Sequence, residues 1–181
     1  MSSRRVLVTG LGLVSPVGNT VPSTWEALCK GRSGIGPITE FDVSALATRI
    51  AGEVKDFDVT EFVSPKEARR LDKFMHYGLA AAQEALAEAG LLGDDDGVDK
   101  ERVGLAVGAG IGGISSIEQN MLIYRDKGPR RISPFYIPGS IVNMISGVLS
   151  ITYGFKGPNI AVVTACTTST HNIGLAARMI Q

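Results

Sequence analysis

The sequence predicts an α/β fold with a largely parallel sheet, and three observations carry that expectation. Short β-branched runs at Arg5–Thr9, Val103–Val107 and Asn159–Thr164 read as buried strands. Segments of helical period alternate with them. Gly and Pro punctuate the joints between the two kinds of segment.

The first run closes at Gly10 and leads into the loop Gly10-Leu-Gly-Leu-Val-Ser-Pro-Val-Gly18. Ser23 to Lys30 then reads as a short helix capped by Ser23, with Glu26 at the capping-box position and Gly31 as its stop. Residues 32–63 carry scattered Gly and Pro and read as irregular. The clearest helix signal starts at Ser64, with Pro65 at the first helical position and Glu67 three residues after the cap. From Leu71 through Phe74, Met75, Gly78, Leu79, Ala82, Ala85, Leu86 and Ala89 one apolar face continues, which predicts a single long helix ending at Gly90. Asp94–Gly97 reads as a solvated turn. Ile114 to Asp126 reads as a helix, and Thr167 to the end as another. Repeats and low-complexity tracts are not evident.

The chain has 181 residues, 44% hydrophobic and 20% charged, which fits a folded domain with a core of ordinary size. Its 18 Lys+Arg balance 18 Asp+Glu, which argues against general nucleic-acid affinity. Two cysteines give no disulfide framework, so a reducing cytoplasm is the expected setting. The N-terminus carries no evident signal or transit peptide. Between Arg131 and Arg178 the one charged residue is Lys156. Pro134, Pro138 and Gly157-Pro158 cut this stretch below membrane-spanning length, so it reads as buried by its own domain or by a partner subunit.

Gly10-Leu-Gly-Leu-Val-Ser15 nearly fits a dinucleotide fingerprint. Ser15 stands at the third glycine, and Pro16 obstructs the helix that would face the pyrophosphate, so a nucleotide site is disfavoured. The second glycine run, Gly108–Gly113, reads as backbone passing close to another chain or a ligand. The two histidines and two cysteines lack metal-ligand spacing, so no metal is expected.

Cys166 lies where a strand turns into a helix. There the helix dipole favours thiolate over thiol, and unpaired first-turn N–H groups can hold an oxyanion. The pattern leaves two readings open: a nucleophile, or a buried structural cysteine. His171, five residues on, sits about 140° round the helix and reads as a structural donor rather than the general base. His76 has no evident acid–base partner. Lys66, Arg69 and Arg70, with Arg125, Lys127, Arg130 and Arg131, read either as solvated faces or as a docking patch for an acidic partner.

Several ordered motifs resemble the start of a β-ketoacyl-[acyl-carrier-protein] synthase. They are Arg5-Val-Leu-Val-Thr-Gly-Leu-Gly12 with Ser15-Pro-Val-Gly18, Ile132-Ser-Pro-Phe135, Gly157-Pro158, and Thr164-Ala-Cys166 with His171-Asn-Ile-Gly174. The similarity runs over essentially the whole chain and is greatest to the type II elongating enzymes of bacterial fatty-acid synthesis.

The resemblance implies a thiolase-like αβαβα fold of two duplicated halves, with residues 1–181 as the N-terminal portion ending inside the nucleophile helix. It implies acyl transfer to Cys166, whose backbone N–H joins the oxyanion hole, then decarboxylative condensation with malonyl-carrier. The family's catalytic histidines and lysine are expected outside this chain. Ile111 is expected to line the acyl pocket. Lys66, Arg69, Arg70, Arg130 and Arg131 are the expected docking residues for an acidic acyl carrier protein, which brings its own phosphopantetheine arm, so no further cofactor is expected. A homodimer is expected, with Asn159–Thr164 pairing across the two-fold axis. The family usually has Ser two residues after the cysteine. Here Thr168 and Ser169 add bulk expected to crowd the thiol's pocket. A polyketide ketosynthase and a non-catalytic partner subunit are the competing readings.

Overall fold

A computed structural model describes residues 4–93 and 97–181. The turn expected at Asp94–Gly97 lies, but for Gly97, outside the described residues. In chain order the elements are α1 (Val21–Cys29), β1 (Ile35–Pro37), β2 (Ile50–Gly52), α2 (Pro65–Ala68), α3 (Lys73–Glu88), β3 (Leu105–Ala106), α4 (Ile114–Lys127), α5 (Tyr136–Ser140), α6 (Met144–Tyr153), β4 (Asn159–Ile160) and α7 (Thr168–Ile180). Short 3-10 turns join several of them.

The core sits where α3 crosses α6. Met75 and Leu79 from α3 meet Ile145 and Leu149 from α6, and each is at most 3% exposed. Leu105 and Val107 from the β3 side pack against this cluster, so α6 is sandwiched between α3 and the sheet. β3 and β4 pair in parallel, Leu105 with Asn159 and Ala106 with Ile160.

Several expectations need correction. Arg5–Thr9 is not a strand. It has no ladder partner among the described residues, and Leu7 and Val8 are 71% and 77% exposed. A β-branched run becomes a strand only beside another backbone. The segment after it lies on α3 instead. Leu11 N–H donates to Glu88 Oε2 (2.6 Å) and Leu13 N–H to Glu84 Oε2 (3.0 Å). A Cβ at Gly12 would stand 1.7 Å from the Ala81 carbonyl oxygen, and one at Gly10 2.1 Å from that of Ala85. These glycines serve close packing on a helix.

The first helix is capped by Thr20, not Ser23. Thr20 and Ser23 form the capping box reciprocally, so Ser23 is the third helical residue. The Glu84 carboxylate also takes the N–H of Val21, one of the helix's orphan donors. Residues 32–63 are not wholly irregular: β1 and β2 form an antiparallel pair, Ile35 opposite Gly52. The strands at 103–107 and 159–164 are each two residues long, because the ladder stops where the chain turns toward α4 and α7.

The long helix expected from Ser64 to Ala89 is two helices. The capping box of Ser64 and Glu67 is present, but α2 ends at Ala68 and α3 starts after Asp72. Asp72 causes the break through contacts distant in sequence. Its N–H donates to Gly139 O (3.1 Å) rather than to α2. Its carboxylate, in a residue 8% exposed, accepts from Ser116 N–H (2.9 Å) and Ser116 Oγ–H (2.7 Å), capping α4 from another helix. His76 Nε2 donates to Ala68 O (3.0 Å) and ties α3 back to the end of α2.

Candidate functional site

The site grows out of the end of β4. After Ile160 the chain runs to Thr164, makes a 3-10 turn over Ala165–Thr167 and enters α7. Ala165 has φ +53°, a left-handed conformation that a residue with a Cβ seldom adopts. Such strain persists only where the surroundings hold it.

Side chains of the turn and of α7 do the holding. Thr168 Oγ1 accepts from Thr164 N–H (3.0 Å). Thr167 Oγ1 donates to Thr164 O (2.8 Å). His171 Nδ1 and Thr164 Oγ1 share a hydrogen bond of 2.7 Å. Asn172, 2% exposed, takes the Val162 N–H on Oδ1 (3.1 Å) and donates Nδ2 to Val162 O (2.8 Å) and Thr168 O (2.9 Å).

Cys166 is exposed on this turn. The turn's own bonds run from Thr167 N to Thr164 O and from Thr168 N to Ala165 O. The Cys166 N–H is left outside them. An accessible thiol and a free N–H on one residue are what acyl transfer needs from a nucleophile with a half-built oxyanion hole. His171 is spatially committed to Thr164, in keeping with a structural role. Thr168 is buried, with its hydroxyl on Thr164 N and its methyl toward Gly108. Ser169 is exposed.

The glycine run 108–113 lies against this turn. A Cβ at Gly108 would stand 2.6 Å from Val162 O, and one at Gly110 3.3 Å from Ala165 O. At the other end Gly113 N–H donates to Ser140 O (2.8 Å). The run therefore passes close to backbone of its own chain. Ile111 projects from it, 68% exposed, one residue from the contact with Ala165.

Lys66 lies on α2, Arg69 and Arg70 just after it, and Arg130 and Arg131 on the 3-10 turn after α4. All five are exposed, and none forms an ion pair among the described residues. The Arg70 guanidinium lies 4.2 Å from the centre of the Phe135 ring, four residues beyond Arg131, so the segment just after α2 touches the one that carries the second basic group. A cleft of about 490 Å³ beside α3 is lined by Glu40, Phe57, Lys73, His76 and Tyr77 and does not include Cys166. Among the described residues no cluster of His, Cys, Asp and Glu is arranged to hold a metal ion. Among the described residues no helix is long and apolar enough to cross a membrane.

Sequence reasoning missed Ala165, Asn172 and Asp72. Asn172 stands in a quoted motif, but nothing local marks a helical Asn whose partners are ten residues earlier.

The comparisons with known proteins agree with this geometry. Residues 3–181 match the family model "Beta-ketoacyl synthase, N-terminal domain". The chain is 55% identical over 180 residues to 3-oxoacyl-[acyl-carrier-protein] synthase 2 of Vibrio harveyi, covering 99% of this chain and 43% of the relative. It is 48% identical over 181 residues to the protein of the same name from Synechocystis, again covering 43% of it. The chain thus spans less than half the length of these curated relatives. A type II polyketide acyl-carrier protein complex with its ketosynthase bound to the hexaketide gives a TM-score of 0.81 at 27% identity, over 99% of this chain and 48% of that one. A β-ketoacyl synthase from Burkholderia phymatum, at 22% identity and a TM-score of 0.81 over 97% of this chain and 43% of its own, shares the fold. With its thiolase-like α/β arrangement and its cysteine turn, the chain belongs to the β-ketoacyl synthase family, as the N-terminal domain.

Proposed function

We propose that this chain is the acyl-accepting part of a 3-oxoacyl-[acyl-carrier-protein] synthase of fatty-acid elongation. The observation that carries the reading is Cys166, exposed on a strand-to-helix turn with its own N–H outside the turn's hydrogen bonds. The Cys166 thiolate attacks the carbonyl of an acyl thioester. A carbon–sulfur bond forms to the cysteine, the carrier's pantetheine sulfur leaves, and it takes up a proton. Loss of carbon dioxide from malonyl-carrier then gives an enolate that attacks the acyl-cysteine and releases the thiolate. Neither His76, on Ala68 O, nor His171, on Thr164, is placed to stabilise that enolate. Those donors come from outside these residues.

Ile111, exposed beside the cysteine turn, lines the acyl pocket. Lys66, Arg69, Arg70, Arg130 and Arg131 receive an acidic acyl carrier protein, which brings the phosphopantetheine arm, so the enzyme needs no cofactor of its own. The stretch from Ile132 to Ala177, whose one charged residue is Lys156, exposes Ile137, Ile151 and Ile173, which supports burial against a second copy in a homodimer. A cytoplasmic setting belongs to the same reading. The polyketide alternative is supported by a solved structure at 27% identity, against 48–55% for the 3-oxoacyl-[acyl-carrier-protein] synthase 2 relatives, so the latter is preferred. A non-catalytic subunit has no use for an exposed cysteine on such a turn.

The test is acyl uptake by the intact protein. Offered an acyl-carrier thioester, Cys166 should gain one acyl group by mass, and Cys166→Ala none. Reversing the charge of Lys66 and Arg69 should slow uptake from the carrier and leave uptake from a small thioester unchanged. Absence of acyl-cysteine with both donors overturns the reading. Equal loss with both donors in the charge-reversed variant makes the basic patch structural.

A further inference from the structure

The conformation that presents Cys166 is held from a distance. β4 ends at Ile160, so Val162 lies beyond the ladder, and among the described residues its N–H and C=O pair with no strand backbone. Asn172 stands in for that strand. Its carboxamide pairs with both backbone groups of Val162, at 3.1 and 2.8 Å, and its second N–H reaches Thr168 O at 2.9 Å. One side chain, almost fully buried, thereby ties the residue before the turn to the first residue of α7. The five residues between, 163–167, must close over that fixed span.

Closing it forces Ala165 to φ +53°, a cost that an unclamped chain would escape by moving Ala165 to negative φ. Cys166 is the next residue, so its thiol and N–H would move with that rotation. Gly108 completes the device. A Cβ there would stand 2.6 Å from Val162 O and 3.2 Å from Asn172 Nδ2, so only glycine leaves room for the clamp to close.

From this geometry we infer that Asn172 is the positioning residue of the nucleophile. By clamping Val162 to α7 it holds the strained Ala165 turn and so sets the Cys166 thiol and N–H for acyl transfer. Asn172 touches no substrate in this scheme. The inference rests on the proposed role of Cys166, and its test separates the two.

In the intact protein, Asn172→Ala and the isosteric Asn172→Asp should each slow acylation of Cys166 by about 100-fold, since misplacement of a reacting atom by about 1 Å costs that much. Asn172→Asp keeps the shape but sets a carboxylate oxygen against two carbonyls. Adding Ala165→Gly to Asn172→Ala removes the reason for the turn to relax, so about tenfold of the loss should return. Hydrogen exchange gives a readout that does not need acyl transfer. In Asn172→Ala the Thr167 and Thr168 amides, which do not bond Asn172, should exchange about tenfold faster, with Met75 to Leu79 unchanged. Parent-like acylation in Asn172→Ala, or no recovery in the double variant, overturns the inference. If the parent itself takes no acyl group, the proposed function falls, and exchange alone decides the clamp: unchanged Thr167 and Thr168 amides overturn it, and selective acceleration upholds it.

Discussion

At the α3–α6 crossing, Met75, Leu79, Ile145 and Leu149 hold one another by apolar burial. At the Val162–Asn172 turn, Cys166 is exposed and the conformation is fixed by hydrogen bonds from Thr164, Thr168 and Asn172. Burial is non-directional and scales with area. Hydrogen bonds are directional and small in net energy, but they specify geometry. The core therefore sets how stable the domain is, and the turn sets where one sulfur atom points. A substitution in either region should reveal which currency it uses.

The largest expected loss of stability comes from the core. Leu149→Ala should destabilise by about 2–5 kcal/mol, through lost burial and a residual cavity, without changing the reactivity of Cys166 in the folded fraction. Denaturant melts with thiol titration at matched folded fraction check both halves. A parallel loss of reactivity would break the separation of the two regions.

Gly12→Ala comes next. Its Cβ would meet the Ala81 carbonyl oxygen at 1.7 Å, so backbone must shift to admit it. The expected cost is about 1–3 kcal/mol, as for overpacking elsewhere, again with the cysteine unaffected. Thermal melts of Gly12→Ala and Gly31→Ala separate crowding from backbone strain: a Cβ at Gly31, at φ +64°, meets nothing within 4 Å.

Ser64→Ala should cost about 1 kcal/mol by removing the cap of α2. The same box holds the Glu67 carboxyl below its ordinary value of 4.5, through the Ser64 hydroxyl first and the Ser64 N–H second. A carboxyl with a depressed folded-state pKa adds stability that is complete above the unfolded value. That stability is lost as the pH falls through the lower, folded value. Glu67→Gln should therefore flatten the acid limb of the stability curve below about pH 4.5 and leave its shape at neutral pH unchanged. Melts across that range read the slope directly.

Ile111→Phe should have the smallest effect on stability, within about 0.5 kcal/mol, because the residue is 68% exposed. Its effect should appear in acyl uptake instead, with long chains blocked and short ones still accepted. A rate series over chain length checks it. Equal loss at every length would remove Ile111 from the pocket while sharpening the contrast between a stabilising core and a reactive surface.

Much of this was legible before the fold was known. Ser64-Pro65 with Glu67 announced a helix start, and the start is there. Ile114 to Asp126 gave a helix that runs to Lys127. Cys166 stood at a strand-to-helix junction, and the 3-10 turn puts it there. The helix break at residues 69–72 was not legible. Its cause is Asp72, whose partners Gly139 and Ser116 lie far along the chain. The apolar period that runs unbroken through the break records only which face is buried, so it reads as one helix. The β1–β2 pair was missed because three-residue strands containing Gly and Pro carry no measurable alternation.

The sequence by itself determined the cap of α2, the places of α1, α4 and α7, and the position of Cys166 at a strand-to-helix junction, because each depends on residues within a turn or two of one another. The tertiary structure decided the rest. Arg5–Thr9 has every property of a strand except a neighbour, and pairing is a property of two segments. Gly10 and Gly12 resembled a phosphate loop until α3 was found lying against them. Asn172 looked like any polar residue on a helix until Val162 was found beneath its carboxamide. A glycine or an amide takes its meaning from what stands across from it, and the chain brings that partner from elsewhere only by folding.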